Sequence, residues 1–194
     1  MMRHIYALPL HMVIILMLAL LIVWAMLSLH KNQKKRTIIN LVLCSITALT
    51  ILYATILTRT SGDYEFILTP FAALSAARQQ PELYREMLMN VFLFFPLGLT
   101  LSNALPRKWH RWGKIALTTL VGCALSAGIE YAQYRCALGL AETDDVICNT
   151  LGAFIGSTSL LIARAIEKSR ERVRHTNMTL TTTETQFLHI VKAA

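Results

Sequence analysis

Residues 84–101 read YREMLMNVFLFFPLGLTL. After Glu86 no charged side chain occurs until Arg107. An uncharged run of that length, about 20 residues, is what one helix needs to cross the hydrocarbon core of a bilayer. Working outward from this Glu86–Leu105 stretch, which Pro96 interrupts, four more of the same kind appear. Leu8–Leu29 and Thr37–Leu57 precede it, and Gly113–Gln133 and Val146–Ile166 follow it. The expected fold is all-α: a polytopic membrane protein, a bundle of five transmembrane helices.

Composition agrees. Of 194 residues, 55% are hydrophobic and only 15% are charged, against roughly 25% charged in a soluble domain. A net charge of +8 raises the question of nucleic-acid binding. The basic residues, however, sit in short blocks between apolar runs, a placement that membrane topology explains and a nucleic-acid surface does not. Among the four cysteines, Cys44 and Cys123 lie inside apolar runs, where a thiol acts as a small hydrophobe. Cys136 and Cys148 flank one loop, near enough in sequence to pair, although free thiols are the expected state. The six histidines are scattered. No nucleophile motif, phosphate loop or histidine metal pair is present, so neither a cofactor nor a metal is implied.

The first span carries only Arg3 ahead of it and Lys31, Lys34, Lys35 and Arg36 behind it. A signal peptide has the opposite charge order, so the span is expected to be retained with its N-terminus outside. The positive-inside rule then assigns the remaining loops. Segments 30–36, 106–114 and the tail from Arg164 hold fourteen of the nineteen Lys and Arg, while eight of the eleven acids lie toward the other side. The N-terminus is therefore expected out and the C-terminus in, in an inner membrane. Four segments follow: 1–36, the first span and a basic loop; 37–57, the second span; 58–166, a core of one long outer loop and three spans; and 167–194, a basic, then threonine-rich tail expected to be disordered. Asn177-Met178-Thr179 matches a glycosylation acceptor, but this topology leaves it on the wrong side. In the outer loop, Thr69-Pro70-Phe71 reads as a helix start, with Thr69 as cap and Pro70 in the first position. The spacing of Phe71, Leu74 and Arg78 fits a short interfacial helix. Reporter fusions after residues 34, 110 and 175 should read cytoplasmic and fusions near 65 and 140 extracytoplasmic. A cytoplasmic signal near 65 would contradict five spans.

Polar side chains inside a membrane are costly and need a reason. Gly122, Ser126 and Glu130 recur at spacing four in the fourth span, with Gln133 three further on, so they share a face. The fifth span carries Asp145, Asn149, Gly152, Gly156, Ser159 and Ala163, a small or polar seam that lets helix backbones approach in lipid. The third span offers Glu86 and Asn90, then Pro96 and Gly98; Pro96 is expected to kink it. With alternating directions, Asn90, Glu130, Gln133, Asp144, Asp145 and Asn149 come to one depth at the outer leaflet, Asn149 about 6 Å below Asp145, and Arg85 and Arg135 lie beside them. These residues either bond one another as interhelical glue or line a pocket open to the outer leaflet. In a pocket, Glu130 is central and a cation held by Glu130 with Asp144 or Asp145 is conceivable.

The stretches LTPF at 68–71, YREMLMNVFLFFPLGLTL at 84–101, IEYAQ at 129–133 and ETDDVICNTLGAFIG at 142–156 together resemble the VanZ-like family, named for a teicoplanin-resistance protein. The resemblance covers roughly residues 68–160. Its motif positions fall on Asn90, Pro96, Gly98, Glu130, Gln133, Asp145, Asn149, Gly152 and Gly156. Two departures stand out. Glu142 replaces a usual aspartate, and a frequent Gly-Arg pair reads Gly139-Leu140, which leaves Arg135 as the candidate to stand in for that arginine. The resemblance implies a bacterial cell-envelope protein and, for at least one member, lowered susceptibility to a lipoglycopeptide; it implies no settled chemistry.

Three functions are compatible with these residues. In the first, the protein binds membrane lipid, a lipid-linked cell-wall precursor or a lipoglycopeptide, through Arg85, Asn90, Glu130, Gln133, Arg135, Asp144, Asp145 and Asn149. In the second, it is an intramembrane enzyme on a lipid headgroup, with Glu130 as general base and Asp145 as second carboxylate or metal ligand. In the third, it is a structural partner whose Gly152–Gly156 seam faces another protein.

Overall fold

The computed structural model describes residues 15, 24, 33–57, 66–67, 69–71, 75–76, 80–106, 108–138, 140–162, 165, 168–169 and 172–173. The expected span Leu8–Leu29 and nearly all of the tail lie outside them. Four helices among the described residues are long and apolar enough to cross a membrane: Lys34–Leu57, Glu82–Ala104, Arg111–Arg135 and Thr143–Ile162. They correspond to the second through fifth expected spans. Helix α1 is Gln33–Leu52 and continues as a π-helical turn, Tyr53–Leu57. The others are α2, Pro81–Ala104, α3, Arg111–Arg135, and α4, Thr143–Ser157. Each begins before its apolar run, because a helix continues through polar turns that a hydropathy boundary leaves out. In α2 the start is set by Pro81, which lacks the N–H that a first helical position cannot use. Residues 161–194 form a separate compact unit from 1–160.

The exposure pattern is inverted relative to a soluble protein. Ile38 and Leu49 on α1, Tyr53 in the π-helical turn, Leu120 and Tyr131 on α3 and Leu151 on α4 are exposed, while Ser126, Thr118 and Gln133 are buried. Apolar side chains face outward on α1, α3 and α4, which suits lipid as the surrounding solvent and would be an aggregation hazard in water.

Backbone contact, made possible by glycine, draws the bundle together. Helix α4 packs most extensively on α2 and next on α3. A Cβ added at Gly152 would overlap the carbonyl of Val91, one at Gly156 the carbonyl of Phe95, and one at Gly98 the carbonyl of Ala153. On the other side, a Cβ at Gly122 would come within 2.5 Å of Ala153 Cβ. Ile51, Phe94, Leu97, Ile129 and Ala153 fill the centre. The small-residue seam on α4 is thus occupied by α2 and α3 of the same chain. Pro96 does not interrupt α2, which is helical from Pro81 to Ala104; Thr100 Oγ1 donates to Pro96 O at 2.7 Å. At the far end of the bundle, Asn103 Nδ2 donates to Ser159 Oγ at 3.2 Å. There the buried Lys114 Nζ donates to Leu105 O at 3.0 Å, supplying a donor to a helix end that lacks one.

Two departures from the all-α expectation shape the polar end. After α3 the chain reverses through Ala137 at φ 51. Leu138 N donates to Gln133 O at 2.9 Å and Ala137 N to Tyr134 O at 3.3 Å, the paired bonds of a Schellman turn in which alanine replaces the usual glycine. The reversed chain then forms β2, Ala141–Glu142, in parallel pairing with β1, Phe66–Ile67. The long loop before α2 is therefore tied to the short loop before α4. Helix initiation at Pro70 does not occur. Phe71 has φ 63, a left-handed conformation that no helical residue adopts, and Thr69 does not cap a helix there. Helical i→i−4 bonds appear just after it, from Ser75 N to Phe71 O at 3.0 Å and from Gln80 N to Ala76 O at 3.1 Å. Leu74 and Arg78 of the expected interfacial helix lie outside the described residues.

Candidate functional site

The polar end is built from the first half of α2, the last turns of α3 and the first turns of α4. Helix periodicity places Ser126, Glu130 and Gln133 on the buried face of α3 and Asp144, Asn149 and Gly152 on the buried face of α4. Antiparallel packing of α3 on α4 brings the end of one to the start of the other.

Each polar side chain reaches a partner on another segment. Asn90 Nδ2 donates to Asp145 Oδ1 at 2.6 Å, joining α2 to α4. Asn149 Nδ2 donates to Ser126 Oγ at 2.9 Å, joining α4 to α3. Gln133 Nε2 donates to Thr55 O at 2.9 Å, joining α3 to the π-helical turn. Glu130 Oε2 accepts the Glu142 amide at 3.0 Å, and Asp144 Oδ1 accepts the Phe71 amide at 2.5 Å. Asn90, Glu130, Gln133 and Asn149 do not bond one another, as the glue expectation required. Their bonds run instead to the Asp145 carboxylate, the Ser126 hydroxyl and loop or helix-end backbone. Two buried carboxylates therefore hold the two loops that β1 and β2 join. The strained Phe71 backbone is secured by one of them, as a bulky residue at positive φ requires.

Burial separates the candidates. Glu130 and Asp144 are each 5% exposed, Asn149 3% and Gln133 1%. Asn90, Asp145 and Arg85 are half-buried, whereas Glu86 and Arg135 are exposed. Arg135 ends α3 and stands outside the buried set, so the arginine proposed to replace the missing Gly-Arg position is not inside it. Asp144 and Asp145 lie in the first turn of α4, where the helix N-terminus favours negative charge. Pro96, Gly98, Gly152 and Gly156 belong to the packing interface below. Among the described residues, no group of three or more His, Cys, Asp or Glu side chains is placed to hold a metal ion. All four cysteines are free.

Sequence reading missed the Thr55 carbonyl and the amides of Phe71 and Glu142, because backbone groups carry no side-chain signature. A usable signal existed for Thr55. The last carbonyls of a helix lack intrahelical donors, and Gln133 supplies one at the same end of the bundle.

The model of the VanZ/LLP1 family matches residues 10–164. The chain belongs to this family. Protein VanZ of Enterococcus faecium is 36% identical over 89 residues, 46% of this chain and 48% of that protein. The similarity thus spans about half the length of the curated relative. No solved structure matches. Family membership and the four apolar helices agree that this is a membrane protein of the VanZ type.

Proposed function

We propose that the polar end of the bundle is a binding site for a lipid-linked or amphiphilic ligand at the outer leaflet of a bacterial cytoplasmic membrane, and that its occupation lowers the action of lipid-anchored glycopeptides of the teicoplanin type. One observation supports this reading above others: two neighbouring helices, α3 and α4, contribute buried Glu130, Gln133, Asp144 and Asn149 to a single end of a bundle. Packing alone does not call for them there, since close glycine contacts already join α4 to α2 and, through Gly122 and Ala153, to α3. Carboxylates at such a depth are expensive and are retained where they meet a ligand or a charge. Family membership supports the antibiotic half of the proposal. The seam at Gly152 and Gly156 is filled by α2, which removes the surface that a docking partner would have used.

Expression of this chain in a susceptible host should raise the teicoplanin concentration needed to stop growth. Unchanged susceptibility, with the protein inserted at normal abundance, would contradict the proposal.

A further inference from the structure

Among the described residues, exposed tyrosines and tryptophans collect at the two ends of the bundle. At the polar end they are Tyr84 in the first turn of α2, Tyr131 and Tyr134 in the last turns of α3, and Tyr53 in the π-helical turn. At the opposite end they are Trp109, just before α3, and Trp112 in its first turn. The Arg111 guanidinium lies 5.8 Å from the centroid of the Trp112 ring. Both residue types favour the faces of a bilayer, where the ring meets apolar chains and its polar atom meets water. Along α3, Trp112 and Tyr131 are about 28 Å apart at 1.5 Å per residue, against a hydrocarbon core of about 30 Å. That match sets the two aromatic groups at the two faces of one bilayer, with Tyr131 marking the face at the polar end.

Phe71 lies at the same level but belongs to no helix. Next to Tyr131, Glu130 accepts the Glu142 amide, and two residues on from Glu142, Asp144 accepts the Phe71 amide. These bonds hold the Phe71 backbone beside the first turn of α4. The Phe71 side chain is nevertheless 58% exposed. Its backbone is left-handed, at φ 63, where glycine or asparagine is the ordinary choice and a bulky side chain is an outlier. A turn that needed only the reversal has no use for a phenyl ring. A strained residue of this kind persists where its surroundings enforce it, and its strain points to a task for the side chain.

We propose that Phe71 is a lipid anchor: its ring enters the bilayer interface at the polar end, in line with the exposed tyrosines, and Asp144 is the residue that positions it. The partner is the apolar side of the boundary between headgroups and acyl chains. A phenyl ring has no hydrogen-bonding atom to leave unpaired there, and its transfer out of water is favourable. The anchor fastens the long loop before α2 to the membrane close to where β1 and β2 join it to the loop before α4. It stands independently of any ligand at the buried polar residues.

The full-length chain with photoreactive p-benzoylphenylalanine in place of Phe71 is inserted into vesicles of phosphatidylethanolamine and phosphatidylglycerol. After irradiation, mass spectrometry counts lipid adducts per inserted molecule. The same side chain in place of Tyr131 is the reference. Position 71 should yield lipid adducts as readily as position 131. Asp144→Ala, which removes the acceptor of the Phe71 amide, should lower the yield at position 71 several-fold and leave that at position 131 unchanged. Asp144→Asn keeps an oxygen for the amide and should preserve both yields. Lipid adducts at position 131 with none at 71, or adducts at 71 to protein alone, would overturn the anchor. Lipid adducts at neither position would remove the interface placement and the anchor with it. A yield at position 71 that Asp144→Ala leaves unchanged would also overturn the proposal, because a loop lying loosely near the bilayer would then suffice.

Discussion

Gly152→Ala is expected to lower the amount of folded, membrane-inserted protein several-fold. The added Cβ would overlap the Val91 carbonyl and approach Val91 C to 2.9 Å. Neither atom belongs to a side chain that can rotate away, so α4 must move off α2 along the interface that carries most of the bundle's packing. Overpacking of this kind costs about 1–3 kcal/mol, and more when backbone must shift. The loss also spreads to the neighbouring contacts of Gly156 with Phe95 and of Gly98 with Ala153. Gly128→Ala is the matched control. It lies in the interior of α3 with nothing within 4 Å of the added Cβ, so it should leave abundance unchanged or raise it, alanine being the better helix former by about 1 kcal/mol. Quantitative blotting of membrane fractions, with thermal unfolding in detergent, reads both. Equal stability of the two variants would mean that α2 and α4 do not approach as closely as the glycine geometry requires.

Much of this arrangement was legible in the sequence, for a physical reason. Helical periodicity is local, so the four-residue recurrence of Gly122, Ser126 and Glu130 and the run Asn149, Gly152, Gly156 already define faces. Lipid then demands that the polar and small faces turn inward. The closures between elements were not legible. Ala137 in a left-handed turn, Phe71 at positive φ and the pairing of residues 66–67 with 141–142 depend on how two loops meet in space, and neither positive-φ position carries the glycine that would announce it. Thr69-Pro70 has the composition of a helix start, yet the bond from the Phe71 amide to Asp144, 73 residues away, imposes a turn that propensity alone would not choose. Arg135 belongs to the same end of the bundle as the site and is the candidate to stand in for the family's arginine. A helix turns about 100° per residue, which carries it to an exposed position. Asn90 was assigned to the same end from topology alone, and its bond to Asp145 gives that placement a partner.

The binding site itself is tested most directly by removing charge while keeping shape. Glu130→Gln retains an oxygen for the Glu142 amide, and Asp145→Asn retains one for Asn90 Nδ2. If these carboxylates serve only to hold helices and loops together, each amide should do nearly as well, since interhelical hydrogen bonds in membranes average about 0.6 kcal/mol. If they engage a ligand through charge, the amides should fail, and charge-assisted bonds are roughly twice as strong as neutral ones. The measurement is the teicoplanin concentration that stops growth of cells carrying each variant, with membrane abundance determined in the same cultures. Both variants should accumulate at the level of the unaltered protein and leave the cells as susceptible as those without it. Full protection by both variants at normal abundance would contradict a charged binding site and leave Glu130 and Asp145 with a structural role alone.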